Sequence, residues 1–367
     1  MTNWINAKAI KASSFIVIKQ IALILAALLF ATIFLKASQF EAWAIVNGIK
    51  TSLTTDLAGT IRWATPLILA GLAISITFKA QVFNLGVDGQ LYMGAAAATV
   101  VALALPNQNG VLSLTLVFVA AMIAGAVFAL IPALLKVYFD TNEVVSTLLL
   151  NFIALLYMEY LVTGPLRDPD ASTNLNASQA LPENTWLPRL DYFEPSAANV
   201  GIYIAIAMAI LISFVYYRTK LGYEIKLVGS NPRMATYGGM MPKRTTIKVM
   251  AISGALAGII GAIEVTAIQH KLLAGFNPGY GFDGIVVSLL ANNNPVGVIF
   301  SGLFFGSLKN AGINMERFTD VPSAVTEVVM AIIILTISAE ILMPKIIKRI
   351  KISKKNKAHR QEVSQND

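Results

Sequence analysis

VLSLTLVFVAAMIAGAVFALIPALL, residues Val111–Leu135, is an apolar run that contains no charged residue. A helix rises 1.5 Å per residue and a bilayer core is about 30 Å thick, so roughly 20 such residues cross it. Windows of similar length, bounded by charges, Pro, Gly or Asn, lie on either side at about Ile16–Leu35, Leu57–Phe78, Leu85–Leu105, Val144–Val162, Val200–Tyr217, Val249–Ile268 and Val321–Met343. The stretch from Leu272 to Leu308 is also largely apolar. It is broken by Asn292-Asn293-Asn294-Pro295, which stops a helix, and its length suits two crossings or one re-entrant pair.

Composition agrees with these windows. Charged residues make up 13% of the 367 residues, against roughly 25% in soluble domains, and AVILMFWYC reach 56%. Mean hydropathy is +0.66. The expected fold is an all-α polytopic membrane protein of about ten transmembrane helices, or eight plus a re-entrant pair, with discontinuous helices. The net charge of +8 is concentrated: Pro344–Asp367 carries eight Lys/Arg and two acids, so the charge is local and implies no nucleic acid partner. With no cysteine, thiolate metal sites, iron–sulfur clusters, Cys nucleophiles and a lipoprotein anchor are excluded. Two histidines, His270 and His359, leave little for a His-built metal site, and no resident metal or cofactor is expected.

Positive charge also orients the chain. Lys8, Lys11 and Lys19 head the first window, which is long and lacks a convincing cleavage site, so it reads as an uncleaved helix with a cytoplasmic N-terminus. Six crossings later, Arg218–Lys248 holds seven Lys/Arg and one Glu and falls inside; Thr163–Ala198, with five acids and two Arg, falls outside. The cationic tail is cytoplasmic only if Leu272–Leu308 makes no net crossing. Both termini are therefore expected in the cytoplasm. The expected organisation is a cytoplasmic N-terminus (1–15), a transmembrane domain (16–343) with an extracellular loop (163–198) and a cytoplasmic loop (218–248), and a basic cytoplasmic tail (344–367).

Several positions stand out chemically. Phe83-Asn84-Leu85-Gly86-Val87-Asp88-Gly89-Gln90 opens a span with two glycines, an amide and an acid. A Gly-interrupted start leaves backbone N–H groups that protein or a wet cavity must receive, so Asn84, Asp88 and Gln90 are candidates for a permeation path; a helix start capped by Asn84 or Asp88 is the alternative. Gly281-Phe282-Asp283-Gly284 repeats the Gly-x-Asp-Gly pattern later and hints at an internal duplication, which makes Asp283 a further candidate. Glu143, Thr147 and Asn151 follow one another at steps of four along one helical face and could bond a polar solute or glue helices together, while Asn142 could cap the same helix. Arg62, Glu159, Glu264 and Glu327 lie inside apolar windows and require partners or a cavity. Gly254-x-x-x-Gly258 and Gly302-x-x-x-Gly306 suit close helix packing. Asn231 as cap, Pro232 at the first helical position and Gly238 as stop predict a helix of about six residues, either a rigid contact for a cytoplasmic partner or an interfacial connector.

Together these blocks resemble the inner-membrane permeases of ABC importers in the sugar, branched-chain amino acid and nucleoside group. Phe83–Gln90 resembles the Asn-Ile-Gly-Val-Glu-Gly-Gln block of the nucleoside branch, with departures at Leu85 and Asp88. Thr141–Asn151 is similar to its Asn-Glu-Val-Ile-Ser-Thr block, followed by Gly164–Pro169 as in that branch's larger permease. Gly229–Gly238 resembles the ATPase-contacting segment, and Gly281–Gly297 the late Gly-rich block.

The resemblance implies a bacterial plasma-membrane permease whose Gly229, Asn231, Pro232, Arg233, Ala235, Tyr237 and Gly238 meet a cytoplasmic ATPase. It further implies a second permease subunit, an extracellular lipoprotein-type binding protein and a nucleoside as solute. The chain has no Gly-x-x-x-x-Gly-Lys-[Ser/Thr] motif, so ATP would be used by the partner and the chain itself would not be an enzyme. A sugar-importing permease and an ion-coupled secondary transporter are the competing readings.

Overall fold

The computed structural model describes residues 43–318 apart from 106–108, 170–175 and 194–195, together with single residues and short pieces within 25–37 and 322–332. The expected N-terminal segment 1–15, most of the windows Ile16–Leu35 and Val321–Met343, and the tail 344–367 lie outside the described residues. The helices, in chain order, are α1 (Ala44–Thr54), α2 (Leu57–Lys79), α3 (Val87–Ala104), α4 (Gly110–Phe139), α5 (Glu143–Thr163), α6 (Gly201–Arg218), α7 (Lys220–Ser230), α8 (Pro232–Tyr237), α9 (Pro242–Ile263), α10 (Tyr280–Leu290) and α11 (Pro295–Phe318). The π-helical segment Glu264–Gln269 prolongs α9. Among the described residues, strand pairing is confined to isolated bridges.

Seven of these helices are long and apolar enough to cross a membrane: α2 to α6, α9 with its π segment, and α11. The described residues form two compact units, Lys50–Asn310 and the described parts of Met1–Ile49 with Ala311–Asp367. In the smaller unit, Gly48 packs on Ala311 and Met315. In the larger one, α2 and α9 are mostly buried, whereas α4, α5 and α6 expose Val, Leu, Ile and Phe side chains that suit lipid tails.

Glycines set the closest helix contacts of the larger unit. Gly125 of α4 lies against the Gly254 carbonyl of α9, Gly258 lies against the Ala121 carbonyl, and a Cβ on Gly94 of α3 would sit 2.5 Å from Gly258 Cα. Backbones approach this closely only where a side chain is missing, so the Gly254-x-x-x-Gly258 pattern is spent on packing three helices at one point.

The Leu272–Leu308 region forms a hairpin. Tyr280 near the start of α10 bonds Arg62 of α2, and further along Gly284 packs on Ala70 and Val287 on Gly71, so α10 runs with α2. On α11, Val298 meets Gly71, Gly302 meets Ile68, Gly306 meets Ala64 and Asn310 meets Gly59, so α11 runs back along it. The 11 residues of α10 extend about 16 Å, too short to cross. α10 is therefore not a full span, which departs from ten full spans and fits the alternative of eight plus a re-entrant pair, while α11, with 24 residues, is long enough to cross. Asn292 and Asn293 adopt left-handed backbone (φ 51° and 54°) at the reversal, and Ser301 Oγ donates to the Val287 carbonyl (2.8 Å) across it.

The loop after α5 is also built. Residues 176–187 run along the exit of α9, with Ser178 N donating to Leu272 O, Leu181 N to His270 O and Leu187 N to Thr266 O, all at 2.8–3.0 Å. Trp186 stacks on the His270 imidazole at 4.0 Å, and burial, followed by the nearby Arg189, holds that imidazole below its usual pKa.

Candidate functional site

The chain between α2 and α3 is the first break in the helical bundle. Gln81 has φ 58°, and residues 82–86 form no regular secondary structure until α3 begins at Val87. Asn84 and Gln90 are buried and bond each other reciprocally at 3.0 Å, and Asn84 Nδ2 also donates to Ser253 Oγ on α9 (2.9 Å). From α5, Asn151 Nδ2 donates to the Leu85 carbonyl (2.9 Å), and Asn151 Oδ1 accepts from Gly89 N (2.8 Å). Thr147 Oγ1 accepts from Leu85 N at 3.3 Å. The two α5 side chains thus supply the hydrogen bonds that the broken helix lacks, which is the condition for irregular backbone at membrane depth.

Glu143 does not join them. Its carboxylate pairs with Lys136 of α4 (3.4 Å), while Asn142 caps α5 by accepting from Val144 N (3.0 Å). Glu159 is exposed.

Asp88 links the two Gly-x-Asp-Gly segments. Its Oδ1 accepts from Gly281 N (2.8 Å) and from Asn277 Nδ2 (2.7 Å), and Asn277 Oδ1 accepts from Gly279 N and Tyr280 N (both 3.0 Å). The first helix start therefore holds the second. Asp283 has a different role and forms an ion pair with Lys309 of α11, so the two aspartates are not used equivalently.

Beside this junction lies a buried charge cluster. Arg62 of α2 donates to Glu264 Oε2 (3.2 Å) and to Tyr280 OH (2.8 Å), and Tyr280 OH donates to Glu264 Oε1 (3.0 Å). Glu264 opens the π segment, a distortion that recurs at functional sites. Trp63 borders the cluster: the Arg62 guanidinium carbon is 4.1 Å and Lys309 Nζ 5.5 Å from its ring centroid. Tyr280, Asn277, Trp63 and Lys309 were not among the candidates from sequence. Lys309 terminated an apolar window there but sits inside α11, and Asn277-Pro278-Gly279 is a helix-start signal.

At the opposite end of α2, Gly229 of α7 lies against the Lys79 carbonyl. Asn231 Oδ1 accepts from Arg233 N (3.1 Å) and Met234 N (3.2 Å), Pro232 takes the first helical position, and Gly238 N donates to Met234 O. The resulting α8 has six residues, as its caps predict; Ala235 is buried while Arg233, Met234 and Tyr237 are exposed.

A bundle with broken helices, a re-entrant hairpin and buried intramembrane charges is the architecture of a multi-pass permease. The chain matches the family "Branched-chain amino acid transport system / permease component" over residues 57–338 and belongs to it. It is 35% identical over 294 residues to the guanosine ABC transporter permease protein NupP of Bacillus subtilis, covering 80% of this chain and 83% of that one. A glucose ABC transporter permease of Haloferax volcanii is 37% identical over 280 residues, covering 74% and 73%. The nucleoside ABC transporter permease protein NupB of Lactococcus lactis is 30% identical over 355 residues, covering 93% and 96%. No solved structure matches the chain significantly.

Asn151→Leu removes both bonds to the α2–α3 break and leaves the Leu85 carbonyl and Gly89 N–H unpaired. Transport is expected to fall about thirtyfold or more, since two unsatisfied groups cost about 1–3 kcal/mol each, with assembly retained. Thr147→Val should have a smaller effect in the same direction. Transport assays normalised to assembled complex measure this, and wild-type rates for Asn151→Leu would show that the break holds itself.

Proposed function

We propose that the chain is one of two permease subunits of an ABC importer for nucleosides in the bacterial plasma membrane. Separate cytoplasmic ATPases hydrolyse ATP, and an extracellular lipoprotein-type binding protein delivers the solute. The observation that carries this reading is α8: a short, doubly capped helix between two spans, with Arg233, Met234 and Tyr237 presented outward and α7 seated on the end of α2. Such a helix can pass an ATPase movement to Lys79, from which the chain enters the broken segment 80–86.

The nucleoside assignment draws on the two relatives named for guanosine and nucleosides, one of which covers 93% of the chain. The glucose permease makes a free sugar the competing cargo. Asn84, Asp88, Gln90, Asn142, Glu143, Thr147, Asn151 and Asp283 belong, in this reading, to the walls of the pathway. Thr147, Asn151 and Asp88 act by fixing the helix breaks, and any cargo contact they make is transient.

Uptake by the reconstituted complex is the test. Labelled nucleoside should enter in an ATP-dependent manner that survives collapse of ion gradients; transport of free sugar alone would overturn the cargo, and ATP-independent uptake the class. Replacing Arg233 and Tyr237 together by alanine should reduce uptake about tenfold or more, as for exposed Arg and Tyr anchors of an interface, with insertion unchanged. Normal uptake at normal abundance would remove α8 from the coupling route.

The hairpin also supports an orientation. Because α10 and α11 enter and leave at the same end of α2, the hairpin adds no net crossing, which supports the reading that the cationic N-terminus and the tail share the cytoplasmic side. Reporter fusions after Lys357 and within Thr173–Asn184 should report opposite faces; labelling on the same face would require an additional crossing.

A further inference from the structure

The charge cluster has two layers. Glu264 and Tyr280 are fully buried, whereas Arg62 and Lys309 (13% side-chain exposure each) and Asp283 (18%) keep an edge open beside the half-buried Trp63. This open edge leaves N–H donors of Arg62 and Lys309 within reach of a solute, which a fully buried cluster would not. The cluster lies 17 residues from Lys79, about 25 Å along α2, and is therefore at the end remote from α7.

We infer that this open edge, formed by Trp63 with Arg62, Asp283 and Lys309, is a contact site for the cargo at the mouth of the pathway. The inference rests on the nucleoside-importer reading above. Each charge already faces an opposite one, Arg62 with Glu264 and Lys309 with Asp283, so a charged solute would have to disrupt a buried pair at substantial cost. A neutral solute meets no such barrier. Lys309 has three N–H donors and the Arg62 fork five, more than their acid partners consume, so hydroxyl and ring-nitrogen acceptors can be received without displacing a carboxylate. One face of Trp63 carries the Arg62 guanidinium (4.1 Å to the ring centroid), and the part of the ring left accessible supplies a plate for a planar ring. Hydroxyls on one part and a planar heterocycle on the other are the features of a nucleoside. Glu264 and Tyr280 behind are positioning residues that hold the Arg62 fork in place.

The test uses the assembled complex and two independent readouts. In wild-type complex, photolabelling with 8-azidoadenosine should mark the α2 fragment carrying Trp63 and be prevented by excess unlabelled nucleoside. Trp63→Ala should lower nucleoside uptake about tenfold through a raised KM, the loss expected for one stacking contact, with ATPase activity of the complex retained, while Trp63→Phe keeps most of it. Labelling confined to other segments, or an assembled Trp63→Ala complex with wild-type KM, overturns the site. If Trp63→Ala fails to assemble, the wild-type labelling decides. A wild-type complex that carries no nucleoside refutes the importer reading itself; wild-type nucleoside uptake with unlabelled α2 refutes this site alone.

Discussion

Arg62→Leu is expected to destabilise the protein by about 3–5 kcal/mol, the usual cost of leaving one member of a buried ion pair without its partner. Glu264 is 1% exposed and receives two of its hydrogen bonds from this guanidinium, at 3.2 and 3.4 Å. Without Arg62 the carboxylate retains only the Tyr280 hydroxyl, and it must stay charged in a low-dielectric site or take up a proton. Either outcome loosens the join between α2, the π segment and α10. Thermal unfolding in detergent would show a lowered midpoint for Arg62→Leu and recovery of most of it in Arg62→Leu/Glu264→Gln, since the second change removes the stranded charge. A single variant that melts like wild type would mean that the cluster contributes no net stability.

Gly258→Val should be as damaging for a different reason. Gly258 touches the Ala121 carbonyl of α4, and its Cα is also the nearest neighbour of Gly94 on α3. The obstacles to a new side chain are backbone atoms of α4 at Ala121 and Met122, which cannot rotate away as a flexible side chain would. Overpacking typically costs about 1–3 kcal/mol and more where relief requires moving backbone, so little folded protein should reach the membrane. Gly258→Ala should fall between the two. Abundance and monodispersity after extraction measure the effect, and a well-behaved Gly258→Val protein would show that α4 and α9 separate at small cost.

Both predictions depend on contacts that local sequence reading only half supplies. The Gly254-x-x-x-Gly258 spacing identifies a packing face because helical periodicity places the two glycines on one side. It says nothing of Gly125 and Gly94, which come from other helices. Arg62 and Glu264 are recognisable as intramembrane charges that need partners, yet nothing local pairs residues 202 positions apart. Asn142 and the Asn231–Gly238 helix were fully legible, since a cap is settled by side chains bonding backbone two or three residues away. The Glu143, Thr147 and Asn151 stripe was partly so: all three share a face, but Glu143 is drawn to Lys136 across the α4–α5 turn, while the other two reach the break at Leu85–Gly89.

What the sequence by itself determined is therefore everything that hydrophobic length and local backbone chemistry control: an all-helical membrane body, the spans from Leu57 to Ile268, the break before Val87 and the short capped α8. Only the tertiary structure decided that Leu272–Leu308 folds back as a hairpin, because 37 largely apolar residues satisfy two crossings or a re-entrant pair equally well until α2 offers the surface on which they pack. It also decided that Asp88 bonds the start of α10 and that Lys309 belongs inside a helix. The physical reason is common to these cases: a buried polar group must find a partner, and which one it finds depends on the approach of helices distant in the chain.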